Sequence, residues 1–102
     1  IAIAANIAPY EDDREYNRKI IKENGNYVEI YVNTSLENCI NRDVKGLYKK
    51  ARAGEIKNFT GISSPFEPPL NPELTISTFE KSIEKSGDEL FNYILPKIKF
   101  EQ

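Results

Sequence analysis

Several residue types on which protein chemistry often depends are missing from this chain. It has no histidine, no methionine and no tryptophan, and Cys39 is its one cysteine. Without histidine, imidazole catalysis and the histidine-containing ligand sets of zinc sites are excluded. A lone cysteine excludes an internal disulfide, which favours the cytoplasm as the compartment. Since no imidazole activates its thiol, we interpret Cys39 as a small buried apolar residue.

Long apolar runs are absent as well. No stretch approaches the roughly 20 residues that a membrane-spanning helix needs, so no membrane association is expected. Residues 1–5 are apolar but too few for a signal peptide, and they lack its basic flank. Because an initiator methionine is also missing, the sequence predicts a fragment or a processed product of a longer chain.

The 102 residues suffice for one domain at most. The net charge of −2 gives no bulk attraction to nucleic acid. Residues 42–57, in contrast, carry a net positive charge. They contain two acidic residues, Asp43 and Glu55, and six cations: Arg42, Lys45, Lys49, Lys50, Arg52 and Lys57. A local basic patch on a mildly acidic protein favours a specific anionic ligand.

The spacing of these cations predicts a short helix over 46–53. Lys45, Lys49 and Arg52 then share one face, and Gly54 follows as a left-handed C-terminal residue. Phe59 comes next as an aromatic ring able to stack. A cationic helix followed by an aromatic suits a polyphosphate or nucleotide-like anion. A surface helix whose lysines serve solubility explains the spacing about as well.

Elsewhere, β-branched and apolar runs predict strands at 1–5, 27–32 and 74–78. Capping signals and periodicity predict helices at 11–23, 35–41 and 80–95, with a proline-rich loop at 62–72 and Pro96 ending or kinking the last helix. The side chains expected to face the core are Tyr16, Ile20, Ile21, Leu36, Cys39, Ile40, Leu47, Ala51, Phe79, Ile83, Leu90, Phe91, Ile94 and Leu95.

Alternating strands and helices predict an α/β fold with a parallel sheet and right-handed crossovers. Ligands of such sheets bind beyond the carboxyl ends of the strands, which here are residues 6–10, 33–35 and 77–79. The basic stretch follows the second strand and should overhang that edge. An overhanging cationic flap suits phosphoryl transfer, because it excludes water and neutralises charge on the moving group.

The run from Cys39 to Ile62 closely resembles the lid of adenylylsulfate (APS) kinases. The segments Ile7-Ala-Pro-Tyr with Asp13-Arg14, Pro65-Phe-Glu-Pro-Pro and Asn71-Pro-Glu-Leu are similar to other parts of that family, so the resemblance covers nearly the whole chain. It implies a three-layer parallel sheet of the P-loop nucleoside-kinase-like type, incomplete here, with residues 1–102 as its C-terminal half and the lid at about 42–62.

The resemblance also implies an activity: ATP-dependent phosphorylation of the 3′-hydroxyl of adenylylsulfate, with Mg²⁺ as cofactor. It implies a cytoplasmic enzyme, commonly a homodimer and in some members fused to an ATP sulfurylase. Acceptor contacts would come from Ile7, Ala8, Lys45, Asn58 and Phe59, with Phe59 stacking on the adenine. Arg42 would pack on the ATP base and Arg52 would lie near the ATP phosphates. Residues 78–81 fall where further adenine-side contacts lie.

Two departures from the family pattern stand out. Ala8 occupies a position at which many members carry a serine that becomes phosphorylated in some enzymes, so that step is excluded, and Glu11 stands where arginine is frequent. In addition, the pattern G-x-x-x-x-G-K-[ST], the family's acidic segment and its first acceptor-binding arginines do not occur in these residues. We therefore assign no catalytic residue and no metal ligand within the chain.

Three alternatives stay open. A relative with the same lid could act on another nucleotide substrate. The chain could be part of a non-catalytic nucleotide-binding protein, which the residues preceding Ile1 would reveal by the presence or absence of a P-loop. A nucleic-acid-binding module would use the basic stretch, but one short cationic helix on an acidic protein argues against it.

The 102 residues by themselves should show no kinase activity, because they offer neither phosphate-cradling amides nor a base for the ribose hydroxyl. We also expect the isolated chain to give a random-coil circular dichroism spectrum. Adenylylsulfate-dependent ATP turnover, or a cooperative thermal transition, by the isolated chain would contradict these expectations.

Overall fold

The computed structural model describes residues 2–23, 25–79 and 81–98. Along the chain, its helices and strands are α1 (Glu11–Lys22), β1 (Ile30–Asn33), α2 (Leu36–Arg42), α3 (Leu47–Arg52), β2 (Leu74–Ser77) and α4 (Ile83–Ile98). None of these helices combines the length and the apolar character that a bilayer crossing requires.

Strands β1 and β2 pair in parallel, which confirms the predicted α/β arrangement. The register aligns Ile30 with Leu74 and Asn33 with Ser77. Ile76, on β2, is only 3% exposed and is one of two buried apolar residues in the described chain, with Ala51. The observed strands lie within or close to the predicted ranges 27–32 and 74–78.

The predicted strand at 1–5 is not formed in its described part. Ile1 lies outside the described residues, and residues 2–5 make no strand pairing there. Ile3 is 89% exposed. An apolar run of this kind needs paired strands on both sides, and the described sheet offers only β1 and β2. Instead, Ala2–Ala4 line an open apolar cavity of about 790 Å³ beside Val28, Ile30 and α4.

The helix at 11–23 is confirmed as α1, but its predicted core side chains are wrong. Tyr16, Ile20 and Ile21 are exposed, and the buried residue of the helix is Arg14. In the described chain α1 has no extensive packing against another helix or strand, and Arg14 is buried because it donates to the Ala8 and Glu67 carbonyls and to the Glu11 carboxylate.

Helix α2 begins as predicted, because the Ser35 hydroxyl accepts a hydrogen bond from the Asn38 N–H at 3.2 Å. Cys39 and Ile40 are half-buried, so the predicted burial of Cys39 is only partly met, and Leu36 is exposed. Leu36 belongs to the first turn, where its Cδ1 lies beside Gly61 while the rest of the side chain faces solvent.

Helix α4 begins later than predicted and runs two residues past Pro96. Proline removes one helical hydrogen bond but has a helical φ, so near a helix end its effect is small. Leu90 and Ile94 are half-buried, whereas Phe79, Ile83, Phe91 and Leu95 are exposed, contrary to expectation. Within the described residues α4 packs mainly on β2, so much of its apolar face stays uncovered.

A charged cluster ties α1 to the start of both strands. Arg18 donates to both carboxylate oxygens of Glu73 at 2.9 Å, and the Glu29 N–H donates to Glu73 Oε1 at 2.7 Å. The Glu73 N–H in turn donates to the Glu29 carbonyl at 2.9 Å. The Arg18 guanidinium also lies 4.9 Å from the ring centroid of Tyr27. The Arg18 side chain of α1 thus fixes the segments that lead into β1 and β2.

The pKa values of the two carboxylates in this cluster are shifted in opposite directions. Burial raises the pKa of Glu29, and the nearby charges of Arg18 and Arg14 offset this only in part. Burial acts the same way on Glu73, but hydrogen bonds from Arg18 and the Glu29 N–H, with the charge of Arg18, hold its pKa below the usual value. Glu73 therefore stabilises the fold as an anion, and Glu29 is costly as one.

These opposite shifts predict opposite pH trends for two isosteric variants. The contribution of Glu73 is present above the usual carboxylate pKa and is lost as the pH falls through its lowered value. Glu73→Gln should cost about 1–3 kcal/mol near neutral pH, since it removes charge-assisted hydrogen bonds, and progressively less in acid. The contribution of Glu29 is present at low pH and is lost as the pH rises through its raised value, so Glu29→Gln should be least harmful near neutral pH.

Urea unfolding of the full-length protein at several pH values measures both trends. Parallel pH profiles for the two variants would contradict the assignment.

Candidate functional site

The carboxyl ends of β1 and β2 meet at one edge, as predicted for residues 33–35 and 77–79. The Thr78 N–H donates to the Asn33 carbonyl at 3.1 Å, and the hydroxyls of Thr34 and Thr78 are hydrogen-bonded to each other. The third predicted strand end, residues 6–10, follows no strand in the described residues.

Arg42 is anchored at this edge. It is the last residue of α2, and its guanidinium donates to the Thr78 carbonyl at 2.9 Å and to Thr78 Oγ1 at 3.2 Å. The side chain remains exposed, so its planar face is open to a ligand. Thr78 thereby fixes a predicted base-packing residue, and it acts through a backbone carbonyl that sequence reasoning does not single out.

Asp43 turns the chain from α2 into α3. Its φ is +21°, and its carboxylate accepts from the N–H groups of Tyr48 at 2.9 Å and Lys49 at 3.1 Å. Gly46, with φ +68°, donates its N–H to the Asp43 carbonyl at 2.9 Å. Asp43 thus satisfies the first amides of α3. Its place three residues before Gly46, the residue that precedes α3, is a sequence signal that could have marked this role.

Apart from Arg42, the cations of the basic stretch have no protein partners among the described residues. No hydrogen bond or ion pair among the described residues engages the side chains of Lys45, Lys49, Lys50, Arg52 or Lys57. Lys49 and Arg52 line a pocket of about 400 Å³ with Ile40 and Asp43. Since the Asp43 carboxylate is occupied by two amides, these cations are left to attract an anion from solution.

The predicted helix at 46–53 is confirmed as α3, with Gly54 in the left-handed conformation at φ +79°. Ala51 is buried, as expected from the spacing. Leu47 is exposed, contrary to expectation, because the first turn of this short helix extends beyond the segments that cover Ala51.

Phe59 sits on a tight turn that fixes its ring. Its N–H donates to Ser63 Oγ at 2.7 Å, and its carbonyl accepts from the N–H groups of residues 62–64. The preceding Asn58 has φ +54°. The ring meets Tyr48 edge to face, with centroids 5.0 Å apart and planes at 78°. Tyr48, which sequence reasoning passed over, connects the predicted stacking ring to the cationic helix.

The Ile7–Ala8 segment forms a separate part of the site. Ile7 is exposed, and Ala8 has φ +41° with its carbonyl bonded to the Arg14 side chain. No hydrogen bond in the described residues joins this segment to Lys45, Asn58 or Phe59. The structure therefore places the predicted residues in three parts: Ile7–Ala8, Arg42 at the strand edge, and the segment from Lys45 to Phe59.

Mg²⁺ requires several oxygen ligands in close array. The part of the chain that the structure describes contains no group of three or more aspartate, glutamate, cysteine or histidine side chains placed to hold a metal ion. These residues therefore hold no ready-made cluster for Mg²⁺, which proteins usually bind through one or two carboxylates together with substrate phosphates and water.

Two parallel strands end at the edge where Arg42 is anchored, and the cations without protein partners follow in the connection between these strands. This arrangement is typical of α/β proteins that bind anions and nucleotides. Comparison with known proteins narrows this class. The family model for adenylylsulphate kinase matches residues 1–77. The chain belongs to the adenylylsulphate kinase family.

Curated relatives support the same assignment. The adenylyl-sulfate kinase of Halothermothrix orenii is 50% identical over 97 residues, which are 95% of this chain and 51% of the relative. That of Bacteroides thetaiotaomicron is 52% identical over 99 residues, or 97% of this chain and 49% of the relative. The chain thus spans about half the length of the curated relatives that it matches.

A solved structure gives the fold. The Mycobacterium tuberculosis APS kinase CysC, in complex with AMPPNP and APS, superposes with a TM-score of 0.82 at 38% identity. The match covers 88% of this chain and 52% of that chain. The predicted α/β fold of the P-loop nucleoside-kinase-like type is confirmed, and the chain holds part of it.

The lid glycines provide a test of packing under the flap. Gly54 and Gly61 both have positive φ, but a Cβ at Gly54 would meet open space, whereas one at Gly61 would lie 3.0 Å from Leu36 Cδ1. Gly54→Ala should cost about 1 kcal/mol from backbone strain alone. Gly61→Ala should cost up to about 1 kcal/mol more, because the exposed Leu36 side chain must shift, and Leu36→Ala should restore this extra cost.

Urea unfolding of the full-length variants measures these costs. Equal losses for Gly54→Ala and Gly61→Ala would show that the turn at Gly61 does not pack on α2.

Proposed function

We propose that the full-length protein transfers the γ-phosphoryl group of ATP to the 3′-hydroxyl of adenylylsulfate, giving 3′-phosphoadenylylsulfate. Residues 1–102 form the C-terminal half of the kinase domain, with the lid at about 42–62. The observation that carries the proposal is the lid itself. Its cations from Lys45 to Lys57 have no protein partners among the described residues, the backbone of Phe59 is held by a tight turn, and the Phe59 ring contacts Tyr48.

On the acceptor side, we assign Lys45, Asn58 and Phe59 from the lid and Ile7 and Ala8 from the first loop. The Phe59 ring offers a face to the adenine, because Tyr48 fixes it by an edge-to-face contact. Lys45 is exposed and supplies a charge toward the sulfate–phosphate group. The Ile7–Ala8 loop contributes backbone groups, which the replacement of serine by alanine leaves intact.

On the donor side, Arg42 packs its guanidinium plane on the ATP base, since Thr78 holds its hydrogen-bonding edge. Arg52 lies with Lys49 at the α3 pocket, where both charges face the ATP phosphates. In phosphoryl transfer, negative charge shifts toward the leaving oxygens, and fixed cations lower the barrier most when water is excluded. Closure of the lid supplies both effects.

The remaining parts of the mechanism lie outside these residues. Mg²⁺ would neutralise charge on the transferred phosphoryl group when bound, and the described residues contain no ready-made ligand cluster for it. We therefore propose that the 102 residues alone do not catalyse the reaction. We further propose a cytoplasmic enzyme that assembles as a homodimer or joins an ATP sulfurylase, which makes its substrate.

The direct test is a coupled assay of ATP turnover by the full-length protein with a panel of acceptors. Turnover that requires adenylylsulfate supports the proposal. Turnover with a different nucleotide would show that the protein is a kinase with the same lid and another acceptor substrate. ATP binding without turnover on any acceptor would assign a non-catalytic nucleotide-binding protein, and steeply salt-dependent duplex binding a nucleic-acid module.

Two lid variants test the acceptor assignment. Phe59→Ala should raise the KM for adenylylsulfate by about tenfold or more while changing that for ATP little, since base stacking contributes about 1–3 kcal/mol. Lys45→Ala should raise the same KM. Lys85→Ala is the control, because Lys85 is an exposed lysine of α4 that lies outside the basic stretch. Equal losses for both substrates in Phe59→Ala would rule out its place on the acceptor side.

A further inference from the structure

A buried arginine holds the first loop of the site. Arg14 is 6% exposed, although it lies on α1 and carries a full charge. Its Nη1 donates to the Ala8 carbonyl, and its Nη2 donates to the Glu67 carbonyl and the Glu11 carboxylate. One guanidinium thus joins the Ile7–Ala8 loop to the proline-rich segment 62–72, which is more than 50 residues away in sequence.

The loop that Arg14 holds is strained. Ala8 has φ +41°, a region that L residues with a Cβ rarely occupy. Such conformations persist only where the surroundings impose them, and they cluster at ligand-binding positions. The hydrogen bond to the Ala8 carbonyl is the direct contact that imposes this one.

A second set of contacts backs the first. The Glu67 N–H donates to the Pro9 carbonyl at 2.7 Å, and the Glu67 carboxylate accepts from the Glu11 N–H at 2.8 Å. The Arg14 guanidinium lies 5.7 Å from the ring centroid of Phe66, which stacks on Tyr31 of β1 at 6.2 Å. The position of the Ile7–Ala8 loop relative to the sheet is therefore fixed through Arg14 and Phe66.

Stability alone does not account for this arrangement. The Arg14 Nε–H is buried without a hydrogen-bond partner among the described residues, which is unfavourable. Buried ion pairs often contribute less to stability than apolar side chains of similar volume would. What arginine provides is a planar fork that reaches two carbonyls and a carboxylate at once, which lysine cannot do.

We propose that Arg14 is a positioning residue, which fixes the strained Ile7–Ala8 backbone so that it meets the acceptor nucleotide. This role rests on the proposed function, and it explains why the loop needs no serine side chain at position 8. Arg14 does not touch the substrate, because its polar atoms face the protein interior.

The test compares Arg14→Lys with Arg18→Lys in the full-length protein. Both residues lie on α1, both are mostly buried, and both pair with carboxylates, but Arg18 contacts Glu73 and not the loop. Arg14→Lys should raise the KM for adenylylsulfate by about tenfold and leave that for ATP unchanged. Arg18→Lys should lower thermal stability and leave both KM values unchanged.

Hydrogen exchange adds a readout that needs no turnover. Arg14→Lys should speed amide exchange in the segment Ile7–Tyr10, and Arg18→Lys should not. If Arg14→Lys does not fold, Glu11→Gln weakens the same anchor and should shift exchange and acceptor KM in the same direction, by about threefold.

The outcomes separate the two proposals. Unchanged acceptor KM in a folded Arg14→Lys protein, or equal losses of KM for both substrates, overturns the positioning role. Unchanged loop exchange overturns it too, even if the wild-type protein proves to use another acceptor. Absence of adenylylsulfate-dependent turnover in the wild type overturns the proposed function and, with it, the acceptor role of Arg14.

Discussion

The parallel pairing of β1 with β2 is the constraint on which the rest of the structure depends. Four residue pairs fix the register between strands that are separated by residues 34–73. Because the strands run in the same direction, their carboxyl ends must meet at one edge. At this edge the hydroxyls of Thr34 and Thr78 are hydrogen-bonded, and the Thr78 carbonyl accepts a hydrogen bond from Arg42. At the opposite end, Arg18 and Glu73 hold the entry to both strands. The crossover that carries the flap is therefore fixed at both of its ends.

Local signals in the sequence sufficed for the elements themselves. The Ser35 cap, the left-handed Gly54 and the alternation of strands and helices each follow from short-range chemistry, and each is found. The choice of buried side chains did not follow. Periodicity shows that Tyr16 and Ile20 lie on one face of α1, but not whether the described chain supplies a surface to cover that face. Arg14 is buried because carbonyls from distant segments converge on it, and no local pattern announces such a convergence.

The residues of the candidate site likewise fall into those that the sequence suggests and those that only the folded structure identifies. Lys45 and Phe59 are proposed to face a ligand from spacing and family resemblance, and their binding roles stay proposals. The residues that orient them could not be named. Asp43 acts through amides of α3, Thr78 through its carbonyl, and Tyr48 through the edge of a ring. Such roles depend on geometry that only the folded chain defines, so sequence reasoning finds the contacts of a site more readily than its supports.

The separation of the two paired strands has a consequence for biosynthesis. The partner of β1 leaves the ribosome only after the whole crossover, so the basic stretch is made before the frame that fixes it exists. Pairing over such a distance is slow compared with local helix formation. During this interval the apolar surface of β1 is unprotected, which favours association with other chains. The positive charge of residues 42–57 opposes such association, because like charges repel. The cations proposed to hold an anion in the finished protein therefore also act while the connection between β1 and β2 is being made.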